Sequence, residues 1–172
     1  MELLARRLIR DVPDFPKAGI LFKDITPVVQ DARAFRQVIE RMTDYAKSRT
    51  PDAVVAIESR GFIFGAPLAL ALNCAFIPVR KLGKLPGETI REEYALEYGS
   101  NTVEMQKGAL QPGQRVLLVD DLLATGGTAA AAGRITERLG GEVVGCLFLV
   151  ELTFLNGREA LAGYDVLSLL EY

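Results

Sequence analysis

Residues 116 to 128, VLLVDDLLATGGT, place two adjacent carboxylates, Asp120 and Asp121, at the end of an apolar run. Thr125, Gly126, Gly127 and Thr128 then open onto an alanine-rich segment. A strand, a turn of small residues and a helix direct backbone N–H groups and the positive end of a helix dipole at one spot, which suits a phosphate. Glycine permits positive φ and close backbone approach, and threonine adds hydroxyl donors. Carboxylates at the mouth of such a turn accept hydrogen bonds from sugar hydroxyls or hold a hydrated Mg²⁺. Together these features point to a phosphorylated sugar. An ordinary βα turn with a solvated Asp pair is the plainer alternative. No Gly-Lys-Ser/Thr follows, which excludes a Walker A loop, and the glycine spacing is not that of a dinucleotide fingerprint.

Other segments carry related chemistry. ESRGFIFG, residues 58 to 65, repeats the strand-to-helix turn and offers Ser59, Arg60 and backbone N–H groups to an anion, unless Arg60 is simply a surface arginine beside packed phenylalanines. Arg80, Lys81 and Lys84 form a basic cluster that is either a second anion contact or a solvated charge run. GILFKD, residues 19 to 24, reads by itself as a hydrophobic anchor. Glu97 lies in a long charged segment, where a carboxylate serves as a general acid or hydrogen-bond partner once closure removes water. The chain has no histidine, so Ser-His and Cys-His catalysis and histidine metal sites are excluded.

The elements that must position these groups are legible as an alternation. Apolar β-rich runs at 53–57, 75–79, 116–119, 143–150 and 166–170 predict strands, and 32–48, 64–72 and 128–139 predict helices. Continuously apolar strands separated by helices indicate an α/β fold with a mostly parallel central sheet flanked by helices, which collects ligands beyond its strand carboxyl ends. The last helix is expected to be capped by Thr128 and to end at Gly140. Two stretches fail to alternate: DFPKAGILFKDITP, rich in proline, and RKLGKLPGETIREEYALEYGSNT, between two strands. Both are expected to be loops, the second a lid or binding loop.

At 172 residues and 49% hydrophobic content, one globular domain covering 1–172 is expected. A net charge of −2 gives no bulk attraction for nucleic acid, so any anion is held locally. Cys74 and Cys146 sit in apolar surroundings and are expected to be free thiols. Apolar runs are too short for a membrane span and there is no signal-peptide pattern, so a cytoplasmic protein without membrane or nucleic-acid partners is expected.

VLLVDDLLATGGT resembles the phosphoribosyl diphosphate (PRPP) signature of the type I phosphoribosyltransferases, and DDLLATGGT is the form found in the adenine phosphoribosyltransferases. DFPKAGILFKDITPV, ESRGFIFG, RKLGKLPGET, LEYG and LVELTFLNGRE match the same family in the same order, so the resemblance spans nearly the whole chain. It implies the type I phosphoribosyltransferase fold, with a base-binding region at about 1–30 and a hood over the site at about 80–102.

The implied reaction joins adenine to PRPP, giving AMP and pyrophosphate with Mg²⁺ held mainly by PRPP and water near Asp120 and Asp121. Asp120 and Asp121 are implied to hold the ribose, and Ala124, Thr125, Gly126, Gly127 and Thr128 the 5′-phosphate. Ser59, Arg60, Arg80, Lys81 and Lys84 are implied at pyrophosphate, with Arg80 reaching a neighbouring subunit of a homodimer. Phe22 would stack on adenine, Leu21 and Lys23 would read its edge through their backbone, and Leu122 and Leu123 would wall it. Glu97 would act at N7, with Arg60 assisting catalysis and Tyr98 closing the hood. Family members commonly carry a polar residue where this chain has Leu82. Relatives acting on hypoxanthine, guanine or xanthine, and PRPP-sensing regulators, share the fold. The former usually place a lysine C-terminal to the PRPP loop, which CLFLVELTFLNGREAL lacks, and the latter need a basic face or an added DNA-binding domain.

Overall fold

A computed structural model describes residues 3–95 and 99–172; Glu97 and Tyr98 lie outside the described residues. The chain forms two compact units, Met1–Arg41 and Met42–Tyr172.

In the first unit, α1 (Ala5–Leu8) leads into β1 (Arg10–Pro13), β2 (Leu21–Asp24), α2 (Thr26–Gln30) and the start of α3 (Ala32–Lys47). β1 and β2 pair antiparallel, with Val12 opposite Phe22. The N-terminal stretch is therefore a hairpin, where a loop was expected. Its prolines do not prevent pairing, because Pro13 ends β1 and Pro16 and Gly19 fall in the connection. Asp14 Oδ1 accepts the Gly19 N–H at 2.7 Å and closes that connection. Asp24 then starts α2 by accepting the Thr26 N–H at 2.9 Å. Hydrogen bonds from Thr26 and then from Arg10 hold the Asp24 carboxyl down at about 2. Asp31 does the same for α3, accepting the N–H groups of Arg33 and Ala34 at 2.9 and 2.8 Å.

The second unit is built on a seven-stranded sheet. Its elements are β3 (Ala53–Ile57), α4 (Gly61–Leu72), β4 (Ala75–Lys81), β5 (Thr89–Ala95), β6 (Ser100–Gln106), β7 (Arg115–Leu123), α5 (Gly127–Arg138), β8 (Glu142–Glu151), α6 (Gly157–Ala160) and β9 (Val166–Glu171). The strand order is β5-β6-β4-β3-β7-β8-β9. β4, β3, β7, β8 and β9 run parallel, and β6 and β5 are antiparallel additions beside β4. Every residue of β3 is buried, as expected for a strand covered on both faces. Cys146 is buried and Cys74 half-buried, both as free thiols.

The topology places the site. From β3 the chain crosses through α4 to β4 on one side, whereas β7 lies on the other side of β3. The carboxyl ends of β3 and β7 therefore flank the switch in strand order, where open α/β sheets bind ligands.

The segment expected to be a long loop is mainly the β5–β6 hairpin, paired from Thr89↔Gln106 to Ala95↔Ser100. Ile90, Glu92 and Tyr94 alternate with the more exposed Arg91, Glu93 and Ala95. Ile90 and Tyr94 pack on the core that includes α5 alanines. Glu92 instead pairs with Arg134 at 2.6 Å and Arg138 at 2.9 Å, both on α5. That charged residue on the packed face is what concealed the strand period.

Candidate active site

β7 carries Asp120 and Asp121 to the sheet's carboxyl edge, and the chain turns through Ala124–Gly126 into α5. Gly126 is the N-cap, with φ 80° and no side-chain cap bond. The helix thus begins one residue before Thr128, which lies in its first turn and does not cap it as expected. The sharp turn requires the left-handed conformation, and glycine supplies it at Gly126. A Cβ on Gly126 would meet Gly157 O at 2.3 Å, and one on Gly157 would meet Ala124 O at 2.2 Å. The loop and the start of α6 therefore fit only because both positions lack a side chain. Gly157 was missed by sequence reasoning, although the NG pair of LNGRE marks a turn. A cavity of about 70 Å³ lies in this loop, lined by residues including Ala124, Thr125, Gly126, Gly127 and Thr128. Tyr94 sits against the same turn, its ring carbon 3.2 Å from where a Gly127 Cβ would be.

A larger cavity of about 510 Å³ joins the ends of β3, β4 and β7. Asp120, Asp121, Leu122, Ala124 and Thr128 form one wall, and Ser59, Arg60, Arg80 and Lys81 another. Lys84 and Leu123 are not among its lining residues. Leu123 is buried under the loop because successive strand residues face opposite ways. Tyr94, Asn101 and Val103 of the β5–β6 hairpin also line it. They went unseen because that hairpin reads as a charged loop.

The electrostatics are asymmetric. Arg60 Nε lies 2.7 Å from Asp121 Oδ2, and the Asp121 side chain is 6% exposed against 43% for Arg60. Asp121 is thus neutralised from the cavity side by a cation that still faces solvent. Asp120 Oδ1 accepts the Asp121 N–H at 2.8 Å. Burial and then the adjacent Asp121 charge hold the Asp120 carboxyl well above its ordinary range. Gly61 opens α4 beside this pair, and a Cβ there would meet Asp120 Oδ1 and Val119 O at 2.9 Å each.

Glu58 is a functional neighbour that sequence reasoning did not assign. Its carboxylate takes Arg80 Nε at 3.0 Å, Arg80 Nη2 at 3.3 Å and the Lys81 N–H at 3.0 Å. Burial alone would push Glu58 up, but these donors outweigh it and hold its carboxyl below the ordinary value. Arg80, expected to reach a neighbouring subunit, is in this chain held at the cavity by Glu58.

Leu21, Phe22 and Lys23 occupy β2 in the first unit. The Phe22 ring meets Phe15 edge-to-face with centroids 5.1 Å apart. Lys23 Nζ pairs with Asp11 Oδ1 at 2.5 Å. Among the described residues no group of three or more acidic or cysteine side chains is placed to hold a metal ion.

Comparisons with known proteins agree on one family. The model for the phosphoribosyl transferase domain matches residues 25–162. Adenine phosphoribosyltransferase of Halothermothrix orenii is 58% identical over 99% of both chains. That of Thermotoga neapolitana is 54% identical over 97% of this chain and 98% of its own. The crystal structure of the Thermoanaerobacter pseudethanolicus adenine phosphoribosyltransferase superposes with a TM-score of 0.95 at 54% identity, covering 98% of each chain. The Saccharomyces cerevisiae enzyme, solved with adenine and an imino-altritol bisphosphate, gives 0.92 at 42% identity over 96% of each. With a family model over residues 25–162, relatives of 54 to 58% identity over nearly the whole chain and a solved structure superposing at a TM-score of 0.95, the chain belongs to the type I phosphoribosyltransferase family, with the adenine phosphoribosyltransferases.

Proposed function

We propose that the chain transfers the 5-phosphoribosyl group of PRPP to N9 of adenine, releasing AMP and pyrophosphate in purine salvage. The observation that carries this reading is one cavity lined by Ala124 and Thr128 of the β7–α5 turn, the Asp120–Asp121 pair, Arg60 at the start of α4, and Arg80 and Lys81 of β4. Relatives up to 58% identical bear the adenine phosphoribosyltransferase name, and the yeast and Giardia lamblia structures hold adenine and 9-deazaadenine.

The 5′-phosphate rests on Ala124–Thr128, where α5 begins without a side-chain cap. Asp120 and Asp121 accept the ribose hydroxyls. Ser59, Arg60, Arg80, Lys81 and Lys84 take the pyrophosphate oxygens. Adenine stacks on Phe22, with its edge read by the main chain of Leu21 and Lys23. As the C1–oxygen bond to pyrophosphate breaks, the N9–C1 bond forms and the N9 proton is lost. Positive charge develops on the ribose, and fixed charges around a water-poor site stabilise it more than water would. Glu97 acts at N7 and Tyr98 closes the hood.

Mg²⁺ would enter as an ion carried by the substrate: with Asp121 already paired with Arg60, its ligands would come mainly from PRPP and water near Asp120. When bound, it neutralises pyrophosphate as the leaving group.

The chain is proposed to act as a cytoplasmic homodimer. No described helix is long and apolar enough to cross a membrane. Ile63 and Leu70, seven residues apart on α4, are exposed apolar side chains that a second copy would cover.

With PRPP, adenine and Mg²⁺, AMP and pyrophosphate should form in equal amounts. PRPP binding without pyrophosphate release under those conditions would contradict an enzyme and favour a PRPP-sensing regulator.

A further inference from the structure

Glu104 lies on β6 with 1% of its surface exposed, between the buried Val103 and Met105. It lines neither cavity at the phosphate turn. Its carboxylate nevertheless gathers donors from the connection between β4 and β5 and from the start of β5, where the exposed Arg91 guanidinium also lies 3.6 Å from Oε2. Oε1 accepts the N–H groups of Lys84 and Leu85, both at 3.1 Å, and Oε2 accepts the Thr89 hydroxyl at 3.0 Å. The Lys84 carbonyl is held from the other side by Arg80 Nη1 at 3.1 Å, and Arg80 is itself fixed by Glu58.

The Lys84 peptide is therefore gripped at its N–H by Glu104 and at its C=O by Arg80. An unpaired carboxylate this deep in the protein carries a large desolvation cost, so the segment and Glu104 order each other.

We infer that Glu104 is a positioning residue for pyrophosphate: through the Lys84 and Leu85 N–H groups it fixes the segment that presents Lys81 and Lys84 to the leaving group. The inference rests on the proposed transferase reading, which places those lysines at pyrophosphate. What matters is the shape of the acceptor. A glutamine keeps all three hydrogen bonds, because its carbonyl oxygen accepts both N–H groups and its NH₂ donates to the Thr89 hydroxyl, and it gives up only the ion pair with the exposed Arg91 guanidinium 3.6 Å away. An aspartate keeps the charge but withdraws the carboxylate by about 1.5 Å, too far for bonds already at 3.1 Å.

The test is calorimetric binding of magnesium pyrophosphate and, separately, of AMP to the wild-type chain, Glu104→Gln and Glu104→Asp, with thermal melts as a folding check. AMP uses the phosphate turn and the Asp pair but not the β4–β5 connection. Glu104→Asp should weaken pyrophosphate binding about tenfold and leave AMP unchanged, while Glu104→Gln stays within about threefold of wild type. Equal weakening of both ligands by Glu104→Asp, no weakening of either, or a larger pyrophosphate loss in Glu104→Gln would overturn the inference. Should Glu104→Asp not fold, Thr89→Val, which removes one exposed-side donor, is expected to weaken pyrophosphate about threefold with AMP unchanged, and no change there counts against it. A wild-type chain that binds neither ligand would instead defeat the transferase reading beneath it.

Discussion

Replacing Arg60 with alanine is expected to lower kcat/KM for PRPP by about 10³-fold, with only a modest fall in melting temperature. Two losses combine. Asp121 is 6% exposed and its carboxylate is countered by Arg60 Nε at 2.7 Å, so the variant leaves two adjacent carboxylates, Asp120 and Asp121, without that cation. Breaking one partner of a buried pair is costly because the remaining charge is uncompensated. The same guanidinium lines the cavity with Ser59, and in the proposed reaction it stabilises the pyrophosphate charge as the bond breaks. The fold should persist, since Arg60 is 43% exposed and water can enter the space it leaves. Arg60→Lys should recover only part of the loss, because an ammonium cannot serve Asp121 and a phosphate oxygen through a planar fork. Steady-state kinetics with a melt alongside would check this; wild-type kcat/KM in the alanine variant would remove Arg60 from the reaction.

Glu97→Ala should behave differently, lowering kcat by about 10²-fold or more with PRPP binding almost unchanged. Glu97 enters through the proposed role at N7 of adenine, where it redistributes charge on the base while N9 attacks. Such a group contributes to the transition state more than to the ground state, so its loss appears in kcat. In the same proposal PRPP is held by other residues: Asp120, Asp121 and the Ala124–Thr128 turn. Single-turnover rates with calorimetric PRPP binding separate the two effects. A weakened PRPP affinity with normal turnover would make Glu97 a binding residue and leave the chemistry without its acid.

The parallel strands were legible in the sequence because each carries a mostly apolar run, and the central β3 is covered on both faces. The prediction for β3 coincides with Ala53–Ile57, and β4, β7, β8 and β9 extend their predicted runs by one to four residues at an end. The extensions matter chemically, since β7 runs through Asp120 and Asp121 to Leu123, placing both carboxylates within the strand. Polar residues at strand ends are what function requires and what hydrophobic periodicity cannot register. The β5–β6 hairpin was hidden for a related reason: Glu92 occupies a packed position whose partners, Arg134 and Arg138, are more than forty residues away. The β1–β2 hairpin was hidden by prolines that stand at its margins.

At the site, residue types carried the phosphate turn, but not its neighbours. Gly126 rather than Thr128 begins α5, because the left-handed turn and the approach of Gly157 decide the geometry. Glu58 and Glu104 could not be assigned, since their partners include main-chain N–H groups brought from other segments by the sheet. A carboxylate in a sequence announces its charge, not what will surround it.

The choice of base is tested most directly by steady-state turnover with adenine, hypoxanthine, guanine and xanthine at fixed PRPP and Mg²⁺. A pocket that reads the purine edge through the main chain of Leu21 and Lys23, with no lysine for a 6-oxo group, should favour adenine in kcat/KM by about 10²-fold or more. Turnover of guanine or hypoxanthine faster than adenine would contradict it.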